Sequence, residues 1–505
     1  MRLAAIRAVL PTTDPGCISG AASIYGVGMK KPNILFILAD DLGWRDLSCQ
    51  GSDFYESPVL DRLAEEGVRF TDAYASCPVC SPTRASALTG RYPARVGVTN
   101  YIDWRRQRHP LKGQVIDAPY VYELPKSEYN LAQALGENGY RTWHVGKWHL
   151  GDPEFHPEKQ GFDMNIGGNQ CGMPIHGYFA PWKLPNLRGE DVPEGTYLDD
   201  WLTDRAIDLV QRPSDAPFFL NLWYYSVHTP IQAHGEDIRY FREKAESMGL
   251  NKENCFEEKD FYPYEERRHQ RVPHRMRQSD PVYAAMIYNM DRNIGRVLDA
   301  LRDTEKLDDT LVVFTSDNGG LSTNGNAPTC NAPLANGKGW VEDGGTRVPL
   351  IVRHPRDANA GSVRDTPAIT PDLYPTFLEL AGMDPLPEQH VDGVSLAPLL
   401  RGAHLERGPI FWHYPHYSNC GGHPGCAVRD GDWKLTRLFD TGEKYLFNLR
   451  EDIGETDNLL EKNPDKLREL AEALNHWLED AGALFPAPNP DWSEDDHPPG
   501  CAPTV

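Results

Sequence analysis

Two pairs of oxygen-bearing side chains stand at the ends of apolar runs. Asp40 and Asp41 close "NILFILADD", and Asp317 and Asn318 close "TLVVFTSDN". A third apolar run, "FFLNLWYYSV", leads into His228. In an open α/β sheet, ligands bind beyond the carboxyl ends of the strands. Three Asp and one Asn, with no His or Cys among them, form a donor set for a hard cation. That means Ca²⁺ or Mg²⁺ rather than Zn²⁺. Acidic residues after strands also serve as helix caps. Two such pairs, each on a buried run, favour the metal.

Other groups point toward an anion. Lys147 and His149 lie in "GKWHLG", where glycines let the backbone approach another group closely. Lys338 lies in the Gly-rich "NGKGWVEDGG"; taken alone it reads as a solvated lysine. "CPVCSPTRASALTG", residues 77–90, holds two cysteines three apart and a helix ending at Gly90. Cys80 stands at the helix start, where the dipole favours negative charge. Arg84 lies one turn along on the same face and can hold an oxyanion through two parallel hydrogen bonds. From the cysteines alone, a redox pair, half of a metal site and a site built on one cysteine all remain open. A hard cation, an Arg, two Lys, two His and a residue at a helix start together suit an oxyanion ester.

The elements that must position these groups follow from periodicity. Continuous apolar runs near 33–39, 216–224, 310–316 and 347–355 read as strands covered on both faces. Between them lie helices. Residues 57–67 have Ser57 as expected N-cap, Pro58 at the first position and Gly67 as C-cap. Residues 131–140 form another, and 283–301 carry one apolar face. Alternation of strand and helix gives an α/β fold: a large, mostly parallel sheet sandwiched by helices. From about residue 385 the pattern changes. "DWKLTRLFD" and "KYLFNLR" alternate as in an antiparallel hairpin, and 464–482 reads as a closing helix. The expected division is an extension or misassigned start over 1–28, a catalytic domain over 29–385, a smaller C-terminal α+β subdomain over 386–483, and an extended tail over 484–505.

Bulk properties exclude several classes. Lys plus Arg number 51 against 73 Asp plus Glu, a formal charge of -22. So acidic a chain is a poor ligand for nucleic acid or anionic membranes. No run approaches the ~18 apolar residues of a membrane span. The first 28 residues are broken by Arg7 and Pro11 and lack a signal-peptide core of roughly 7–15 apolar residues. Their absence of a signal favours the cytoplasm. The ten cysteines form no regular framework; Cys420 and Cys426 flank a Gly-rich loop and would pair only in an oxidising compartment.

"CSPTR" followed by "LTGR" resembles the signature of the type I sulfatases, in which the cysteine of C-x-P-x-R is oxidised to formylglycine after translation. The resemblance continues through "NILFILADDLG", "GKWHLG", "VHTP", "FTSDNGG", "GTRVP" and "YLFNLREDIGETDNLL", covering roughly residues 31 to 460. It departs at Ala87, where a larger apolar residue is usual, and at Asp343, where Glu is usual. The resemblance makes Cys80 the precursor of the nucleophile and Cys77 a bystander. It implies Ca²⁺, rather than Mg²⁺, held by Asp40, Asp41, Asp317, Asn318 and an oxygen of residue 80. It also implies that Arg84 steadies the formylglycine hydrate, Lys147 and Lys338 hold sulfate oxygens, His149 acts as base, and His228 protonates the leaving alcohol. A formylglycine-generating enzyme is the implied maturation partner.

The alcohol half is less defined. "NYIDWRRQRHP" (100–110) and "FWHYPHYSN" (411–419) carry aromatic, Arg and His residues suited to sugars. The second, with His413 and His416, resembles carbohydrate sulfatases of the galactose and N-acetylgalactosamine type. A sulfated sugar is therefore the expected substrate, with aryl sulfates as surrogates. The alternatives are a phosphonate monoester hydrolase or phosphodiesterase of the same superfamily, a non-catalytic binder of sulfated glycans should Cys80 remain a thiol, and a C-x-x-C redox protein.

Overall fold

The computed structural model describes residues 30–103, 110–187, 191–250, 254–355 and 359–493. The expectation for residues 1–28 and the side chains of 104–109 lie outside the described residues.

The frame is an eight-stranded sheet. Its strands are β1 (Asn33–Ala39), β2 (Val68–Phe70), β3 (Arg141–Gly146), β4 (Met164–Ile166), β5 (Phe218–Trp223), β6 (Thr310–Ser316), β7 (Leu350–Arg353) and β8 (Ser362–Arg364), in spatial order β8-β2-β7-β6-β1-β5-β3-β4. The run from β6 to β4 is parallel, with Ala39 opposite Ser316 and Leu38 opposite Trp223. Strand β7, expected simply as a fourth buried strand, runs antiparallel to β6 with Val352 against Val313. β1 is buried along its whole length. Leu35 and Ile37 enter one core; Ile34, Phe36 and Leu38 enter the other. That two-sided burial is why the run is apolar without alternation.

Helices α1 (Pro58–Glu66), α4 (Leu198–Val210), α5 (Gly235–Ser247) and α6 (Pro281–Asp303) cover the first face. Helices α2 (Cys80–Thr89), α3 (Leu131–Glu137) and α7 (Leu373–Leu380) cover the second. α3 has a full capping box from Asn130 and Gln133, and Asp280 caps α6 through Val282 N and Tyr283 N. α1 corrects the expected cap. Ser57 makes no capping bond; its hydroxyl donates to Asp61. The backbone N–H groups of Val59 and Leu60 donate instead to the carboxylate of Asp291 on α6, at 2.9 and 2.8 Å. Gly67 ends α1 with an extended φ of -129°. A side chain there would meet the Val352 carbonyl at 2.5 Å, so the residue serves close strand packing rather than a left-handed cap.

A separate four-stranded antiparallel sheet follows, made of β9 (Ile410–Tyr414), β10 (Gly425–Asp430), β11 (Trp433–Leu438) and β12 (Lys444–Asn448). Helix α8 (Pro464–Asp480) packs on it, with Trp477 stacked on Phe411 at 4.8 Å. Ion pairs bind this layer to the catalytic part: Arg429 reaches Asp72 at 2.7 Å, and fully buried Lys434 reaches Asp343 at 2.8 Å while also pairing with Glu455 of its own layer at 2.9 Å. Past α8, Ala487–Pro488 pairs with Val115–Ile116, so part of the expected tail is tied down. Among the described residues, no helix is long and apolar enough to cross a membrane.

Candidate active site

Every predicted metal and catalytic residue lies at the carboxyl edge of the parallel strands. β1 delivers Asp40 and Asp41, β6 delivers Asp317 and Asn318, β3 is followed by Lys147 and His149, and β5 by His228. Cys80 is the first residue of α2. Lys338 arrives on the Gly-rich segment before β7, and glycines let that segment lie against its neighbours. Gly319 N donates to Gly345 O at 2.9 Å, and a side chain on Gly319 would strike Gly344 O at 1.9 Å. Lys338 N donates to Gly320 O, and Gly339 N to Pro78 O. The lysine is thereby pinned between the Asp317 loop and the Cys80 loop.

The ion pairs form a connected set. Lys147 Nζ lies 2.6 Å from Asp40 Oδ2, Arg84 Nη2 2.8 Å from Asp317 Oδ2, and Lys338 Nζ 2.7 Å from Asp41 Oδ1. Asn318 Nδ2 donates to Asp41 Oδ1 at 2.9 Å, and Asp41 N donates to Asp317 Oδ1 at 3.1 Å. His228 Nε2 faces Asp41 Oδ2 at 3.6 Å. Burial raises the Asp40 carboxyl well above its ordinary range, against the opposing pull of Lys147. In Asp41 burial acts in the same upward sense but is outweighed by Lys338, then His228 and Lys147, and its carboxyl is held low. Both Asp41 and His149 adopt a left-handed φ of 61°, a sparsely populated conformation for non-glycine residues that clusters at functional sites.

The donor set passes a test for a cation on its own geometry. Asp40 Oδ1 and Asn318 Oδ1 are buried, and no hydrogen-bond donor among the described residues reaches either. A buried acceptor left this way costs about 1–3 kcal/mol, a cost that a bound cation would remove. Ligand atoms of Asp40, Asp41 and His228 also lie within 4.8 Å of one another. The carboxylate and amide oxygens of Asp40, Asp41, Asp317 and Asn318 suit a hard divalent ion.

Around residue 80 the geometry separates the two cysteines. Cys80 Sγ lies 3.3 Å from His149 Nδ1. His149 Nε2 lies 2.7 Å from the Ile102 carbonyl. A carbonyl only accepts, so the ring proton sits on Nε2 and Nδ1 offers its lone pair to residue 80. Burial first, then Lys147, keeps this ring neutral. Cys77 points elsewhere, toward the Thr99 carbonyl at 3.9 Å in a small apolar cluster. Burial pushes both thiols up, although Lys147 and Lys338 oppose this at Cys80. No disulfide joins Cys77 to Cys80 or Cys420 to Cys426.

A cavity of about 800 Å³ opens onto Cys80, Asp41, His149, His228 and Lys338. This is within the usual size range of small-molecule sites. His228 Nδ1 lies 2.7 Å from the Thr229 carbonyl, leaving Nε2 toward Asp41 and the cavity; burial and Lys338 push its pKa down to about 3. The two histidines expected to touch a sugar do not line the cavity. His413 is packed between Phe439 and Phe485 with Nε2 at 2.8 Å from Leu484 O, and His416 Nε2 lies 2.9 Å from Thr99 Oγ1. Both are core residues. The outer wall comes instead from Tyr101 and Asp103, from Tyr264 and Arg267, and from Asn324 and Asn419. Tyr101 and Asp103 belong to the expected 100–110 loop. Tyr264 and Arg267 were not legible beforehand, since they sit at the tip of a charged hairpin far from every motif.

Comparison with known proteins agrees with this geometry. The family described as "Sulfatase" matches residues 32–383, and "N-sulphoglucosamine sulphohydrolase, C-terminal" matches 336–482. N-acetylgalactosamine-6-sulfatase of Canis lupus familiaris is 32% identical over 415 residues, 78% of this chain and 71% of the relative. A protein of Formosa agariphila named "Sulfatase" is 31% identical over 520 residues, covering 89% of this chain and 88% of its own. Among solved structures, Ps i-CgsB in complex with k-i-k-neocarrahexaose aligns with a TM-score of 0.71 at 30% identity, covering 93% of this chain and 96% of that one. The chain belongs to the sulfatase family and is a sulfuric ester hydrolase.

Proposed function

We propose that this sulfatase cleaves the S–O bond of a sulfate monoester on a carbohydrate of the galactose or N-acetylgalactosamine type, using formylglycine formed from Cys80. The observation that carries the reading is that Cys80, His149, His228, Lys338 and Asp41 line the inner end of one cavity, with Arg84, Lys147, Asp40, Asp317 and Asn318 buried behind them in a connected set of ion pairs and hydrogen bonds. The sugar rests on the name of one relative, N-acetylgalactosamine-6-sulfatase, and on the k-i-k-neocarrahexaose bound in the Ps i-CgsB structure.

Asp40, Asp41, Asp317 and Asn318 would hold Ca²⁺, which supplies positive charge beside residue 80 and makes a hydroxyl there more acidic. A hydrated aldehyde at position 80 supplies the attacking hydroxyl and a second hydroxyl, whose deprotonation later frees sulfate. The remaining work belongs to the chain's own groups. Lys338 and Lys147 neutralise charge that grows on the sulfuryl oxygens, in a buried site where fixed charges act strongly. His149 Nδ1, unprotonated and aimed at residue 80, accepts a proton there. His228 Nε2 gives a proton to the departing alcohol oxygen; burial first, then Lys338, disfavours its imidazolium, and the substrate's own negative charge opposes both. Arg84 holds its place through Asp317 and fixes the start of α2 relative to β6.

Mass spectrometry of the tryptic peptide Phe70–Arg84, from protein matured by a formylglycine-generating enzyme, tests the nucleophile, with Cys77 as internal control. Expected is an aldehyde at 80 and a thiol at 77, with hydrolysis of a sulfated sugar and loss of at least about 10³-fold in kcat/KM for Cys80→Ala. Full activity in that variant, or a phosphate diester or phosphonate monoester turned over faster than any sulfate ester, would overturn the reading.

A further inference from the structure

The inner end of the cavity already holds enough cationic groups for one sulfate. The outer wall holds another. Arg267 lines the same cavity as Cys80 and Lys338, and it belongs to neither the predicted metal set nor the catalytic set. Its guanidinium lies over the Tyr262 ring at 4.1 Å, and its Nε donates to Gln270 Oε1 at 3.0 Å. Among the described residues no carboxylate forms an ion pair with it. This contrasts with Arg84, Arg95, Arg347 and Arg429, each of which faces an aspartate within 3 Å. A stacked guanidinium whose side-chain partners, Gln270 and the Tyr264 hydroxyl, are both neutral keeps its full charge for a planar or tetrahedral oxyanion.

The support beneath Arg267 is built rather than loose. It lies between the antiparallel strands Phe256–Phe261 and Arg271–Arg275. Tyr262, Tyr264 and Val272 from this hairpin form one apolar cluster with Val115, Trp340 and Tyr417. Glu265 N donates to Lys112 O, and Glu265 Oε1 accepts from Asn489 Nδ2 at 2.9 Å. Trp340 is two residues from Lys338 and donates to Cys420 O at 3.1 Å. The wall bearing Arg267 and the segment bearing Lys338 therefore share one packed support, which fixes the second cation relative to the first.

We propose that Arg267 is an anion-recognising residue for a second negative substituent, so that the preferred substrate is a glycan with at least two anionic groups rather than a singly sulfated sugar. This rests on the sulfated-carbohydrate reading above. The second group is an oxyanion, either another sulfate ester or a uronate carboxylate. Asn419 and Asn324, on the same wall, offer amide donors and acceptors to the sugar between the two charges.

The test is calorimetric binding to the full chain in a Cys80→Ser background, where no turnover is required. The probes are N-acetylgalactosamine 6-sulfate, its 4,6-disulfate, and a uronate-linked disaccharide of the 6-sulfate. Expected is binding about tenfold tighter or more for one doubly charged probe, the worth of a charge-assisted bidentate pair, with that preference collapsing in Arg267→Met. Which of the two doubly charged probes gains affinity identifies the second group. Equal affinity for all three probes, or a preference that survives Arg267→Met, overturns the inference. Because binding is read without catalysis, failure of the sulfatase mechanism would show separately, as absent turnover in the matured wild type.

Discussion

Lys338 Nζ lies 2.7 Å from Asp41 Oδ1, an ion pair between segments 297 residues apart, at the inner end of the cavity that holds residue 80. The ammonium and a divalent cation draw on the same carboxylate. Replacing Lys338 with Met removes a charge that stabilises the sulfuryl oxygens, so kcat/KM on a sulfate ester should fall about 10²–10³-fold. Calcium affinity, measured by calorimetry on the same variant, should hold or rise, because the competing ammonium is gone. A joint fall of activity and calcium affinity would mean that Lys338 only scaffolds Asp41.

Asp317 carries two loads. Its Oδ2 accepts from Arg84 Nε and lies 2.8 Å from Nη2 as an ion pair, and its Oδ1 accepts from Asp41 N. In Asp317→Ala, Arg84 keeps only Asp40, 3.8 Å away, as a carboxylate neighbour. Leaving a buried charge without its partner costs about 3–5 kcal/mol. The EDTA-treated variant should therefore melt well below EDTA-treated wild type. In wild type, calcium at a hundredfold excess over its Kd should add about 2.7 kcal/mol, and the variant should lose that gain. A thermal midpoint in Asp317→Ala that still rises with calcium as wild type does would remove Asp317 from the ligand set.

How much of this was readable beforehand follows from which interactions are local. The strands bearing Asp40 and Asp317 are buried on both faces, so their apolar runs announced them, and their carboxyl ends announced the cluster of Asp40, Asp41, Asp317 and Asn318. Arg84 was legible because one helical turn separates it from Cys80. The cap of α1 was not: Asp291 lies 232 residues from Val59, and nothing in the local pattern marks it. His413 and His416 misled because a His-rich aromatic segment reads the same on a sugar-binding loop as on a core strand. β9 is buried throughout and carries His413, whose Nε2 lies against Leu484 O; His416, two residues past the strand, is buried with its Nε2 against Thr99 Oγ1. Arg267 escaped notice because its hairpin is mostly charged and exposed, and only tertiary packing brings its tip to the cavity.

Lys434 illustrates the same limit and carries its own prediction. In sequence it is a polar position on an alternating strand; in the fold it is fully buried between Asp343 and Glu455. Lys434→Met leaves Glu455, whose pKa burial already raises to about 8, beside Asp343 with no ammonium between them. The buried cluster should lose about 3–5 kcal/mol, seen as a lower thermal midpoint. Its effect on kcat/KM should be smaller than that of Lys338→Met, since Lys434 touches segment 338–346 but not the cavity. An activity loss equal to that of Lys338→Met would show that the two sheets position Lys338 more tightly than its glycine contacts do.

Asp199 supplies a pH dependence. It is fully buried under the loop that carries His228, with Oδ2 accepting from Ser226 N at 3.2 Å. Burial raises its pKa from the ordinary 3.8 to about 7. A folded pKa above the unfolded one means that the native state holds a proton the unfolded chain has released. Stability from this group is thus full below about pH 4 and declines as pH rises toward 7. The two values differ by about 3 units, on the order of 4 kcal/mol. Asp199→Asn copies the protonated form and does not titrate. The thermal midpoint of the variant minus that of wild type should therefore widen from pH 5 to pH 8. A difference that stays constant over that range would mean Asp199 is already ionised in the folded protein, despite its burial.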